Sequence, residues 1–159
     1  IAQIDPEAIG YIEAHGTGTA VGDPIEATAI GRVIGAGRSP GNECLLGSVK
    51  TNVGHMEAAA GVASVIKAAL SLHRRKIPPN LHFEQPNPAI PFEQLGLRVP
   101  TSVEEWPEGS KTRAAGVNSF GYGGTNAHAI LSAAPEVSTT HAETASPPEE
   151  AILPRRFIA

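Results

Sequence analysis

The chain has 159 residues, 41% of them apolar and 18% charged, with a formal net charge of −4; this is the size of one domain or part of one, and the acidic balance excludes bulk attraction to nucleic acid. Aromatics are only 4%, whereas Ala supplies 24 residues and Gly with Pro another 31, a composition for elements packed closely through small side chains and joined by many turns. The single Cys excludes an internal disulfide framework and, with no apolar run near the roughly 18 residues of a membrane span and no signal peptide, points to a cytoplasmic protein.

Residues 9–14 read as a short buried strand. A glycine-rich turn, Gly16-Thr-Gly-Thr-Ala-Val-Gly22, follows. Asp23-Pro24-Ile25-Glu26 then predicts a helix start, with Asp23 as N-cap, Pro24 at the first helical position and Glu26 closing a capping box. Ile30, Val33 and Ile34 continue that helix, and Gly35 and Gly37 end it. Residues 45–50 are a second strand. A long helix is expected from about 52–55 to about Lys76. Glu57, Ser64 and Ser71 recur at sevens with Lys67 beside them, forming one narrow polar stripe. The rest is apolar or small, which predicts burial on most sides, and Ala58 to Ala60, Gly61 and Ala63 permit close approach of other backbones. The basic run His73 to Lys76 complements the negative end of the helix dipole, and Pro78-Pro79 stops it.

Residues 77–112 carry seven prolines and read as an ordered, irregular excursion with one short strand at 97–99. Residues 113–119 and 127–131 are strands flanking the loop Phe120-Gly-Tyr-Gly-Gly-Thr-Asn126. Residues 135–159 lack periodicity over most of their length and read as a linker, with a following unit starting near Ile152. The start at Ile1 rather than Met points to a segment of a longer chain. Alternating strands and helices followed by two adjacent strands predict an α/β domain with a mixed sheet.

Three loops gather the candidate chemistry: Glu13-Ala-His-Gly-Thr-Gly-Thr19, Lys50-Thr-Asn-Val-Gly-His55 and Asn118 to Asn126. Each follows a predicted strand. Parallel pairing would open the first two on one sheet edge and bring His15, Lys50 and His55 together. A lone His in a turn is ordinarily structural. Gly16 and Gly18 weaken that reading for His15, because they clear the ring for a ligand, and Thr17 and Thr19 add hydroxyls for amides. His55, expected in the first turn of the buried helix, faces a dipole that disfavours imidazolium; a neutral ring can donate to a carbonyl or simply satisfy the helix end, and both readings stay open. Lys50 is either a snorkelling surface group or an orienting partner for His55. The loop of Gly121, Tyr122 and Gly123 is a hairpin turn or a nest of N–H groups for an oxyanion.

The remaining histidines read as structural. No Cys pair or His-x-x-x-His spacing supports a metal. Cys44 lacks an activating neighbour and reads as a structural thiol. A dinucleotide fingerprint fails by one residue of spacing in the 16–22 turn, where His15 would crowd a pyrophosphate. A non-catalytic docking or scaffold segment is the other rival.

The three loops in this order resemble the β-ketoacyl synthase domain of type I modular polyketide synthases. So do the intervening Ile77-Pro-Pro-Asn-Leu-His-Phe83 and Pro86-Asn-Pro-Ala-Ile-Pro91. The likeness covers about residues 1–134, with 77–112 as an irregular C-terminal extension; the tail resembles a linker toward an acyltransferase domain. It implies the C-terminal half of a thiolase-like αβαβα fold in which the Ala-rich helix is central. It also implies that the nucleophilic Cys belongs to an N-terminal half outside this chain. His15 and His55 would then hold the thioester carbonyl of a malonyl-type extender on acyl carrier protein, with Lys50 orienting them. Thr17 and Thr19 would bind the phosphopantetheine arm, the only cofactor implied and one carried by the partner. The Tyr122 N–H would complete an oxyanion hole and its ring would line the acyl pocket. Ser64 stands where some fatty-acid relatives carry Glu, so a Lys–Glu pair is not expected there. Homodimerisation in the full protein is also implied. A decarboxylase-only or non-condensing domain, and an inactive structural fragment, are the alternatives.

Overall fold

The computed structural model describes residues 2–107 and 113–135; all but the first residue of the expected linker lies outside them. In chain order the strands are β1 (Ile9–Glu13), β2 (Cys44–Gly47), β3 (Lys76–Ile77), β4 (Leu97–Arg98), β5 (Glu104–Glu105), β6 (Ala114–Phe120) and β7 (Asn126–Ser132); the α-helices are α1 (Gly22–Ile30), α2 (Lys50–Val53) and α3 (Ala60–Arg74). Five strands form one sheet in the order β4-β2-β1-β6-β7. The first four are parallel and β7 returns antiparallel to β6, so the expected mixed sheet is present.

Alternation along the strands gives the sheet two apolar faces. Ile12, Cys44, Leu46 and Ala114 pack with Ala27 and Ile30 of α1. Tyr11, Leu45, Ala115 and Val117 pack with Ala68 and Leu72 of α3. Ile9 and Ile12 share a face despite their odd spacing because the register shifts between Ile9 and Tyr11, as a bulge does. A Cβ on Gly10 would lie 3.0 Å from the Trp106 indole nitrogen, so the bulge also makes room for Trp106, which meets the Tyr11 ring edge-on at 6.4 Å.

Three expectations about the helices are corrected. The residue before α1 is Val21, which makes no side-chain cap. Asp23 instead accepts the Gly18 N–H at 3.1 Å, and Glu26 accepts the N–H groups of His15 and Gly16. The preceding loop has recruited both carboxylates, so no capping box forms. The helix runs on into a π-helical turn, Gly31–Gly35, whose glycines are needed for contact: a Cβ on Gly35 would lie 1.8 Å from the Leu95 carbonyl oxygen.

The long helix does not start at 52–55. Residues Lys50–Val53 form α2, Gly54 (φ 72°) ends it, a 3-10 turn spans Glu57–Ala59, and α3 starts at Ala60. Left-handed backbone at Gly54 and Glu57 (φ 48°) cannot continue a right-handed helix. His55 therefore lies in the break, outside the first turn of α3. At the other end Arg75 caps α3 in the left-handed region, and Lys76 belongs to β3, 3.3 Å from Glu105 on β5.

The stripe on α3 is also inverted relative to expectation. Ser64 and Ser71 are buried, Lys67 reaches inward to Glu13 at 2.9 Å, and Val62 (64% exposed), Ile66 (55%) and Leu70 (50%) face outward. Burial on most sides is thus not achieved within the chain. Close approach is: a Cβ on Gly61 would sit 2.9 Å from Ser119 Oγ.

Gly35→Ala is expected to lower stability by about 1–3 kcal/mol, measured by urea denaturation. The isolated chain is expected to enhance the fluorescence of a hydrophobic dye, and a Val62→Ser/Leu70→Ser variant to reduce that enhancement.

Candidate functional site

Parallel pairing decides where the loops go. Glu13 at the end of β1 lies opposite Gly47 of β2 and Val117 of β6, so all three motif loops leave one end of the sheet. His15 and His55, forty residues apart in sequence, meet there with ring centroids 5.6 Å apart at 85°. The Phe120 ring also lies close to His15, at 5.4 Å. A cavity of about 950 Å³ opens over them, lined by His15, His55, Thr17, Thr19, Gly121 and Tyr122 among others. Gly123 is not among its lining residues.

Glu26 holds the first loop. Glu26 is 8% exposed, and its carboxylate accepts the N–H of His15 at 2.8 Å and of Gly16 at 2.9 Å. It also accepts the Asn118 amide at 2.8 Å. Gly16 (φ 50°) packs against Ser48, whose Cβ would be 2.9 Å from an added Cβ, so both its conformation and its neighbour require glycine. Lys50 donates to the His15 carbonyl oxygen. Burial lowers the Lys50 pKa, while Glu13 and Glu26 oppose that shift. The Lys50 ammonium thus meets the His15 backbone, from the start of α2 rather than the end of a strand.

Glu13 performs the matching task on the other face of the sheet. Fully buried, it accepts the Tyr11 hydroxyl and the Val49 N–H and pairs with Lys67. A buried carboxylate is tolerated only with such partners. Sequence reasoning alone misses Glu13, Glu26 and Asn118 as site groups. Local pattern assigns Glu26 to its own helix, and the other two sit within motifs whose histidines and glycines carry the stronger signal.

The His55 imidazole has a defined tautomer. The Nδ1 of His55 accepts the Glu57 N–H at 3.0 Å, so the neutral ring carries its proton on Nε2 and can donate it. The two readings left open for His55 are thus compatible: one nitrogen satisfies the local turn and the other is a donor. Burial and the Lys50 ammonium lower the His15 pKa, partly opposed by Glu26, and its buried Nδ1 has no hydrogen-bond partner among the described residues.

Thr17 and Thr19 hydroxyls lie 3.5 Å apart, and Thr19 also accepts the Gly22 N–H. The third loop is a closed turn, with the Gly121 N–H on Thr125 and the Gly124 N–H on Gly121; this leaves a narrower nest than expected. The Tyr122 ring is fully exposed. Cys44 is fully buried and its thiol is pushed up to about 12 by burial, in keeping with a structural thiol. Among the described residues no group of three His, Cys, Asp or Glu could hold a metal, and no helix is long and apolar enough to cross a membrane.

Residues 1–84 match the family model of the β-ketoacyl synthase C-terminal domain, and residues 86–155 match that of the ketoacyl-synthetase C-terminal extension. The chain is 51% identical, over 92% of its length, to a phenolphthiocerol/phthiocerol polyketide synthase protein of Mycobacterium tuberculosis, of which it covers 8%. It is 55% identical, over 82% of its length, to the highly reducing polyketide synthase Preu1 of Preussia isomera, of which it covers 5%. Ketosynthase twelve of the bacillaene polyketide synthase of Bacillus amyloliquefaciens superposes with a TM-score of 0.77 at 44% identity, over 83% of this chain and 24% of that one. The oxazolomycin ketosynthase domain OzmH KS7 of Streptomyces albus superposes at 0.79 with 36% identity, over 88% and 25%. The chain thus spans about a quarter of the solved ketosynthases and a small part of the curated synthases. Sequence and architecture agree: the chain belongs to the β-ketoacyl synthase family, as a C-terminal part of a polyketide-synthase ketosynthase with the thiolase-like fold.

Proposed function

We propose that this chain supplies the decarboxylation half of a ketosynthase site for decarboxylative Claisen condensation in polyketide assembly, as an acyltransferase of the β-ketoacyl-carrier-protein synthase type. The observation that carries the reading is the meeting of the His15 and His55 rings at one cavity. In the proposed reaction a malonyl-type thioester arrives on the phosphopantetheine of acyl carrier protein. Thr17 and Thr19 bind the arm at the rim. His15 and His55 donate to the thioester carbonyl oxygen. The bond to the carboxylate breaks, CO2 leaves, and its electron pair becomes an enolate whose oxygen the two rings stabilise. The enolate carbon then attacks the acyl thioester on a Cys outside this chain. A new carbon–carbon bond forms, and the Cys thiolate departs from the tetrahedral centre.

Neutral rings suit this work, because each must donate a hydrogen bond without giving up its proton. The Nε2–H of His55, set by Glu57, and the low basicity of His15 both support it. The Tyr122 N–H, flanked by Gly121 and Gly123, is the candidate for the second oxyanion site, and its ring for the acyl pocket. With the site open and the outer face of α3 uncovered, the isolated chain is expected neither to condense nor to become acylated. The remainder of the ketosynthase, acyl carrier protein and a neighbouring acyltransferase domain are the partners of this reading, in a cytoplasmic homodimer.

In the complete ketosynthase, His15→Ala and His55→Ala should each reduce malonyl-carrier decarboxylation by about 10²–10³-fold, measured as CO2 release; full rates in both variants would refute the assignment. His15 should also titrate by NMR below the ordinary histidine value of 6.5. Between that folded value and 6.5 the unfolded chain binds a proton that the native state does not. The His15 contribution to stability is therefore present above pH 6.5 and lost as pH falls toward the folded value. Lys50→Met should move the His15 midpoint upward.

A further inference from the structure

Behind the His15 loop, on the α1 face of the sheet, a run of hydrogen bonds continues past Glu26 to a residue that the proposed reaction does not use. Glu26 Oε1 accepts Asn118 Nδ2 at 2.8 Å, and Asn118 Oδ1 lies 2.6 Å from His128 Nδ1. The chemistry fixes every direction in this run. A carboxylate only accepts, so the group facing Glu26 must be the Asn118 NH2; Oδ1 then faces His128, and an amide oxygen only accepts, so His128 carries its proton on Nδ1. Asn118 and His128 stand directly opposite each other on β6 and β7. The His128 ring leans over Gly116, where an added Cβ would lie 3.0 Å from Cε1. The absence of a side chain at 116 therefore allows the ring to reach Asn118.

We propose that Asn118 and His128 are positioning residues for His15: they orient the Glu26 carboxylate that grips the His15 and Gly16 N–H groups, and so set the angle at which the His15 ring meets His55. This rests on the reading of His15 as a donor to the reacting carbonyl. Without Asn118, Glu26 Oε1 loses one of its two donors, and the carboxylate is then held only by the two loop N–H groups that it has to position. Without His128, the Asn118 amide loses the contact that fixes its orientation. A cross-strand pair that merely steadied the sheet would depend on packing and would be indifferent to the Nδ1–H donor.

The test uses the complete ketosynthase with His128→Leu, His128→Asn and Asn118→Leu. His128→Leu and Asn118→Leu should lower kcat for condensation by about 10–100-fold, with KM for the extender thioester changed by less than about 2-fold, and should shift the His15 imidazole resonances. His128→Asn, whose amide N–H stands where the Nδ1–H does, should recover most of kcat and the native His15 resonances. Equal kcat and unchanged His15 resonances in folded His128→Leu would overturn the proposal, as would His128→Asn behaving like His128→Leu. If Asn118→Leu does not fold, the two His128 variants decide the matter alone. His15→Ala separates the two levels: full activity there refutes the donor role itself, whereas the resonance shift tests positioning without any turnover.

Discussion

The carboxylate of Glu26 is the constraint on which the site depends. The Gly16–Gly22 stretch has little side-chain mass with which to define its own path, and at Gly16 and Gly18 it runs through left-handed backbone. Its shape is imposed from outside, by a buried anion on α1 that takes two consecutive N–H groups. Charge-assisted bonds to backbone donors are stronger than neutral ones, and removing one partner from such a buried group leaves an unpaired charge. The loop carrying His15 is therefore as well fixed as the helix that holds it. The Lys50 ammonium on the His15 carbonyl completes the grip.

Glu13 repeats the principle on the opposite face. It binds the Val49 N–H, one residue before Lys50, and is balanced by Lys67 of α3. The two carboxylates, one on each side of β1, tie the first two motif loops to separate helices. The histidines they position lie on different loops, yet both loops are referred to the same rigid strand. Small residues make this economical in space: Gly61 lets α3 settle against Ser119, Gly35 admits the Leu95 carbonyl, and Gly116 admits His128.

The outward apolar face of α3 has a separate origin. Its inward stripe must carry Lys67 to neutralise Glu13, and Ser64 and Ser71 occupy the same buried side. The apolar residues are thereby left for the other sides of the helix. That arrangement is costly for a surface helix and consistent for one that lies between two layers, as the thiolase-like fold provides.

Local sequence is enough for much of this. Short apolar runs in 9–14 and 45–50 read as buried strands, the glycine spacing marks the loops, and parallel pairing of those strands is the one condition under which His15, Lys50 and His55 converge. Where local pattern misleads, a residue has two possible partners and only three-dimensional proximity chooses between them. Asp23 and Glu26 could cap their own helix or bind the preceding loop, and both bind the loop, where the N–H groups of His15, Gly16 and Gly18 meet them. Lys67 could lie on a solvent stripe or meet Glu13, and the buried charge wins. The apolar run suggests a helix continuous through His55, whereas Gly54 and Glu57 take left-handed backbone. The sequence by itself determined the main strands, their order along the chain and the residues capable of chemistry, because apolar runs and glycine placement are local properties. Tertiary structure alone decided which carboxylate holds which loop and which nitrogen of His55 carries the proton, because those choices follow from how the chain folds back on itself rather than from any repeat along it.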